Sequence, residues 1–137
     1  MAKITRFEDL QSWQKARELT NCIYDLTRHG EFSRDIRLCS QIQNSAGSAM
    51  HNVAEGFDSG TTPEFVRFLK IARRSTSEVQ SQLYLALDRA NITPGELAQA
   101  YELGTQVKRL INGMIGYLRK TRRGMAAAKP PPDASAA

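Results

Sequence analysis

His51 and Glu55 stand four residues apart in a segment with helical patterning, a spacing that lets two side chains approach one metal ion. Glu55 is a single ligand, however, and neither His51 nor His29 is followed at three or four residues by the further carboxylates or cysteines that a metal site needs. The sequence also has no glycine-rich phosphate loop and no nucleophile elbow. We therefore expect no catalytic residue, no metal site and no cofactor.

Polar residues interrupt the apolar stripes of the second and third predicted helices. Their spacings of three, four and seven residues place each set on one helix face. One interpretation is that both faces are simply solvated. The other is that they meet in a hydrogen-bonded cluster, which would set the helix register or close an interface between subunits. The members of this predicted cluster are Ser48, Asn52 and Glu55 on the second helix and Ser75 and Glu78 on the third.

Basic residues are concentrated in two places, one early in the third predicted helix and one at the end of the fourth. An up-down topology brings both to the same end of a bundle, where Lys3 and Arg6 also lie, together with several acidic residues. Helix dipoles or plain solvation could explain each group, but phosphate contact requires such a cluster. The predicted phosphate contacts are Arg67, Lys70, Arg73, Arg74, Arg119, Lys120, Arg122 and Arg123.

Composition restricts the function classes. The 137 residues suit one domain, and the net charge of +5 with a pI near 9.5 favours an anionic partner, nucleic acid before a lipid surface. No apolar run approaches the roughly 20 residues of a membrane span, and the charged N-terminus does not look like an export signal. We expect a cytoplasmic protein without membrane association. Cys22 and Cys39 have no partner at ligand spacing, which predicts reduced thiols.

Capping patterns divide the chain into four helices. Thr5 and Glu8 have the spacing of a capping box, so the first helix is predicted to begin near Phe7 and to end by Gly30. Ser33 is the predicted cap of the second helix. Its stripe contains the small residues 46–49, which should allow a close helix approach, and Gly56 is predicted to begin its end.

The last two helices have the clearest start signals. Thr61 and Thr93 are each followed by a first-turn proline and by a glutamate three residues later. Residues 125–137 are rich in Pro and Ala and bury little, so we expect a disordered tail there. The prediction is an all-α fold in which residues 1–124 form an antiparallel up-down-up-down four-helix bundle.

Three ordered motifs resemble one known family. The first is Phe7-x-Asp9-Leu10-x-x-Trp13-Gln14-Lys15-Ala16, the second is Ser48-x-x-x-Asn52-Val53-Ala54-Glu55-Gly56, and the third is Phe65-x-x-Phe68-Leu69-x-Ile71-Ala72-x-x-Ser75-x-x-Glu78. Together they resemble the four-helix-bundle proteins encoded in 23S rRNA intervening sequences, over roughly Phe7 to Leu118. Val53 replaces a usual isoleucine, and Arg74 stands where glycine is common. Neither change affects the expected fold.

The resemblance implies an up-down four-helix bundle that assembles into a homopentameric ring. The same fold includes the accessory variability proteins of diversity-generating retroelements, which bind nucleic acid and associate with a reverse transcriptase. The leading hypothesis is therefore a non-catalytic oligomer that binds RNA or DNA in a sequence-tolerant way, with a reverse transcriptase as its candidate protein partner. The alternative is a structural or protein-interaction bundle without a nucleic-acid role. An enzyme in the bundle core would need ligands that the sequence does not offer.

Overall fold

The chain forms four long α-helices in the computed structural model, which describes residues 3–127. They are α1 (Gln11–Thr27), α2 (Ile36–Asp58), α3 (Thr62–Asp88) and α4 (Pro94–Ala127). Two short 3-10 turns, Phe7–Asp9 and Gly30–Arg34, precede α1 and α2. Each helix packs against two others, α1 and α3 both contacting α2 and α4. This arrangement confirms the predicted antiparallel four-helix bundle.

The first two helix starts differ from the prediction. Phe7 opens a 3-10 turn whose N-cap, Arg6, has no side-chain capping bond, and α1 begins only at Gln11 after the extended residue Leu10. Asp35, not Ser33, caps α2 by accepting a hydrogen bond from the Leu38 amide at 3.3 Å. Ser33 instead donates to the Gly30 carbonyl at 2.6 Å, because the 3-10 turn includes it.

The starts of α3 and α4 are as predicted. Thr61 accepts from the Glu64 amide at 3.3 Å. Thr93 accepts from the Glu96 amide at 3.1 Å, and the Glu96 carboxylate accepts from the Thr93 amide at 2.9 Å, which completes a capping box. The helix α4 continues to Ala127, past the predicted tail boundary at residue 124. The remaining part of the predicted tail, residues 128–137, lies outside the described residues.

Small residues on α2 allow its neighbours to approach closely, as predicted. Ala46 and Ala49 are fully buried, and Thr20 on α1 donates a hydrogen bond to the Ala46 carbonyl at 3.1 Å. At the other end of α2, Gly56 is buried inside the helix and does not begin its end. A Cβ at Gly56 would lie 2.8 Å from Phe68 Cβ, so α3 occupies the space that a side chain would need.

Large aliphatic residues from all four helices fill the core between them. Leu19, Ile42, Leu83 and Ile111 have no exposed surface. Phe32, in the 3-10 turn before α2, is also fully buried and closes one end of the bundle. The outer helix surfaces are left to polar and charged residues, and any binding site must be built on these surfaces or in the grooves between helices.

Alanine occupies an unusual backbone position after α3. Ala90 has φ of 60°, while the Asn91 amide donates to the Ala86 carbonyl at 2.8 Å in the manner of a Schellman end. Left-handed backbone costs a non-glycine residue about 1–2 kcal/mol. We expect Ala90→Gly to raise the free energy of unfolding by about 1 kcal/mol. Urea denaturation would measure the change.

Ala98 supplies the control for this prediction, since it is exposed and lies within the first turns of α4. The same substitution there, Ala98→Gly, should lower the free energy of unfolding by about 1 kcal/mol, because glycine is a poor helix former. An equal loss of unfolding free energy in Ala90→Gly and Ala98→Gly would show that the backbone at Ala90 is not strained.

Candidate nucleic-acid interface

Two hydrogen bonds set the register between α3 and α4. Arg73 Nη1 donates to Asn112 Oδ1 at 2.7 Å, and Lys108 Nζ donates to Ser77 Oγ at 3.3 Å. Both pairs connect the outer edges of antiparallel helices, so residues 65–77 of α3 lie beside residues 108–120 of α4. The two segments form one continuous surface.

This surface is strongly basic. The two segments contain eight of the 19 Lys and Arg residues of the chain and none of its 14 Asp and Glu residues. The rest of the chain therefore has an acidic excess, although the whole protein is basic. We call this surface the basic face, and its charged residues are Arg67, Lys70, Arg73, Arg74, Lys108, Arg119 and Lys120. The eighth cation, Arg109, lies on the α1 side of α4.

Most of the predicted phosphate contacts lie on the basic face. The structure brings Arg67, Lys70, Arg73 and Arg74 on α3 together with Arg119 and Lys120 on α4. The predicted contacts Arg122 and Arg123 lie on the last turns of α4, but their side chains are outside the described ones.

Sequence reasoning missed Lys108. The sequence indicates a basic segment there, since no Asp or Glu occurs between Leu103 and Ala127. The sequence does not show that this segment of α4 lies beside the basic segment of α3. The register that places Lys108 opposite Ser77 shows it. The sequence prediction considered only which helix ends lie together, so it placed the basic charge at one end of the bundle and omitted the middle of α4.

The basic residues differ in how far their charge is compensated. Arg67 forms hydrogen bonds with both carboxylate oxygens of Glu64, the shortest at 3.0 Å, and its guanidinium lies 4.5 Å from the centre of the Phe68 ring. The hydrogen bond from Arg67 lowers the pKa of Glu64. Lys70 and Arg74 are exposed and form no ion pair with a described residue. These two are therefore better available to an anion than Arg67.

Acidic residues compensate part of the basic charge at the predicted basic end of the bundle. Arg6 lies 3.6 Å from a Glu8 carboxylate oxygen and 3.8 Å from one of Asp9, so its charge is matched locally. The uncompensated charge instead runs along the long axis of α3 and α4. An extended anion suits this shape better than a compact one.

The predicted polar cluster is only partly assembled. Ser48 and Ser75 join α2 to α3 through their hydroxyls at 2.8 Å, and Asn52 Nδ2 donates to Ser48 Oγ at 3.0 Å. Glu78 accepts a hydrogen bond from Ser45, a residue that the prediction omitted, at 3.3 Å. Glu55 is exposed and takes no part in these bonds. The result is two separate polar bridges between α2 and α3 rather than one cluster.

A comparison with protein-family models connects these features to a known family. The model described as 23S rRNA-intervening sequence protein matches residues 8–113. The chain belongs to this family. The match to the 23S rRNA-intervening sequence proteins includes the α3 half of the basic face and both α2–α3 bridges, whereas Arg119 and Lys120 lie beyond the matched residues. A comparison with curated proteins gives no match.

Two open depressions lie on the surface of the described part of the chain. One lies between α1 and α4, has a volume of about 440 Å³ and is lined mainly by polar side chains such as Gln14, Lys15 and Arg109. The other lies at the far end of the bundle, beside His29 and Glu96. Small-molecule pockets are usually concave and mostly apolar, so neither depression resembles a substrate site.

Within residues 3–127, no group of three His, Cys, Asp or Glu side chains is arranged for a metal ion. No helix in that range offers the long apolar stretch that crossing a bilayer requires. Burial raises the pKa of the Cys22 and Cys39 thiols, which disfavours the reactive thiolate.

Proposed function

We propose that this protein is a non-catalytic, cytoplasmic accessory protein that binds nucleic acid through its basic face. The observation that carries the proposal is the pairing of two acid-free basic segments on adjacent helices. Lysine and arginine side chains that neutralise phosphates supply most of the affinity of non-specific nucleic-acid binding. The family description, which refers to ribosomal RNA sequences, is compatible with such a partner.

The proposed binding is tolerant of sequence. Base recognition usually requires an element that enters a groove and presents side chains to base edges. Here the basic residues lie on the outer surfaces of two packed helices, and contact with the phosphate backbone is the interaction that such a surface favours. RNA and DNA both carry this backbone.

The proposal includes assembly and a protein partner. By its resemblance to the retroelement accessory proteins, the chain would form a homo-oligomer, a pentamer, and would associate with a reverse transcriptase. A ring would repeat the basic face around its circumference and raise the avidity for a long nucleic acid without any new contact. Light scattering would measure the subunit number, and a reverse transcriptase gene beside the coding sequence would support the partner.

The binding proposal is tested by the salt dependence of affinity. We expect fluorescence anisotropy with labelled RNA and DNA strands to show affinity that falls steeply with added salt. If four to seven phosphates are neutralised, the plot of log K against log salt should have a slope of about −3 to −5. Salt-insensitive binding would contradict the proposal. No binding at low salt would favour a structural bundle without a nucleic-acid role.

A further inference from the structure

The groove between α3 and α4 does not end where its basic residues end. Toward the C-terminus of α3, the rings of Tyr84 and Tyr101 pack edge to face across the groove, with centroids 5.6 Å apart and planes at 68°. Tyr84 keeps 51% of its surface exposed. A large aromatic ring is therefore held on the protein surface at the end of a basic track.

Helical spacing places the cations and the tyrosines in one groove. Lys70, Arg73, Ser77 and Tyr84 follow one another at three, four and seven residues along α3, so they share one stripe. Opposite them, α4 presents a second stripe that contains Tyr101, Lys108, Asn112 and Arg119. Three contacts already described join the stripes, namely Arg73 with Asn112, Ser77 with Lys108 and Tyr84 with Tyr101.

The aromatic end of the groove is rigidly supported. Gln80, a buried residue of α3, donates hydrogen bonds to the Tyr101 carbonyl and to Thr105 Oγ1, both at 3.1 Å. Gly104 makes room for it, since a Cβ there would lie 3.0 Å from the Gln80 side chain. The backbone that carries Tyr101 is thus fixed to α3, and the tyrosine pair is a preformed platform.

We propose that the α3–α4 groove binds a single-stranded nucleic acid, with phosphates on the basic residues and a base stacked on Tyr84. This inference rests on the proposed nucleic-acid role and specifies its substrate class. Proteins that hold single strands combine a basic track with exposed aromatic rings on which bases stack. In a duplex the bases already stack on one another, so they are not available to stack on Tyr84.

The length of the groove sets the size of the bound strand. From Lys70 to Tyr84 is about 21 Å at the rise of an α-helix. At a stacked spacing of about 3.4 Å per nucleotide, this distance corresponds to roughly six nucleotides. Strands of twelve nucleotides are therefore long enough to occupy one groove fully.

The test compares three labelled 12-mers by anisotropy at low salt: a single strand of mixed sequence, the matching duplex, and an abasic strand that keeps only sugars and phosphates. RNA and DNA versions are both used. We expect the single strand to bind roughly 5- to 100-fold more tightly than the abasic strand. Tyr84→Ala should weaken binding of the single strand roughly 5- to 100-fold and change binding of the abasic strand less than about twofold.

Two variants control for side effects. Tyr84→Phe keeps the ring and should bind like the unmodified protein. Tyr24→Ala removes a tyrosine of similar exposure, 43%, from α1 outside the groove and should have no effect. Circular dichroism and light scattering on each variant show whether fold or assembly has changed.

The outcomes separate this inference from the proposed function. Salt-dependent binding that is equal for duplex and single strand, or equal for Tyr84→Ala and the unmodified protein, overturns the single-strand inference and leaves the nucleic-acid role intact. A change of oligomer size in Tyr84→Ala without a selective loss on base-bearing strands would assign Tyr84 to a subunit interface. Failure to bind any of the three probes overturns both proposals.

Discussion

Replacing Gly56 with alanine is expected to destabilise the bundle by about 2–3 kcal/mol, more than most single methyl additions would. The added Cβ would lie 2.8 Å from Phe68 Cβ, 3.0 Å from Phe65 Cδ1 and 3.3 Å from the Phe65 carbonyl oxygen. One of these atoms belongs to the backbone of α3 and another is attached directly to it. A change of side-chain rotamer cannot relieve such contacts, so α2 and α3 must move apart.

Gly113 provides a matched control, because it lies on the exposed surface of α4 and a Cβ there would meet nothing within 4 Å. Gly113→Ala should stabilise the protein by up to about 1 kcal/mol through helix propensity alone. Thermal unfolding of both variants would measure the difference as a lowered midpoint for Gly56→Ala and a raised one for Gly113→Ala. Similar shifts in the same direction would contradict the close-approach role of Gly56.

The packing of Gly56 against α3 also changes the interpretation of the segment Asn52–Gly56. From sequence, the glycine looked like the beginning of a helix end, since glycine is common there. The helix instead continues to Asp58, and the glycine with left-handed backbone after α2 is Gly60, with φ of 89°. A glycine that ends a helix and one that permits another helix to approach have the same local sequence. Only the position of α3 distinguishes them.

Features that depend on local bonds could be predicted from the sequence. Thr61 and Thr93 cap their helices through residues three positions away, so the pattern contains the whole interaction. Ser33 failed as a cap because a 3-10 turn intervened and a second acceptor, Asp35, was available two residues later. Asp35 also accepts a hydrogen bond from Asn91 at 3.1 Å, a contact between distant parts of the chain that no local pattern contains.

The candidate site depends on register, which the sequence does not contain. The apolar stripes of α3 and α4 predict that the helices pack, but stripes of this kind remain compatible with a slip of one helical turn. A slip of one turn would separate Lys108 from Ser77 and Arg73 from Asn112. The predicted contacts at residues 67–74 and 119–123 were chosen as two clusters at one end. The structure connects them into a continuous face through Lys108.

Neutralising the basic face is expected to produce the largest loss of nucleic-acid affinity. The variant combines Lys70→Gln, Arg74→Gln, Arg119→Gln and Lys120→Gln, which removes two cations from each helix. It spares Arg67, Arg73 and Lys108, which have internal hydrogen bonds. Each lost phosphate contact lowers the salt slope by about 0.7 on a single strand. At about 0.1 M salt, four lost contacts correspond to a roughly 100- to 1,000-fold weaker affinity.

The control for this variant removes the same charge from elsewhere. Arg28, Arg34, Arg37 and Arg89 are exposed and lie outside the basic face, toward the opposite end of the bundle. Glutamine at these four positions should leave the salt slope unchanged and lower affinity less than about tenfold, since only the long-range field is altered and salt screens it. Equal losses in the two variants would mean that net charge, and not the α3–α4 surface, governs binding. A salt slope that is smaller by about 3 in the first variant alone would locate the phosphate contacts on that surface.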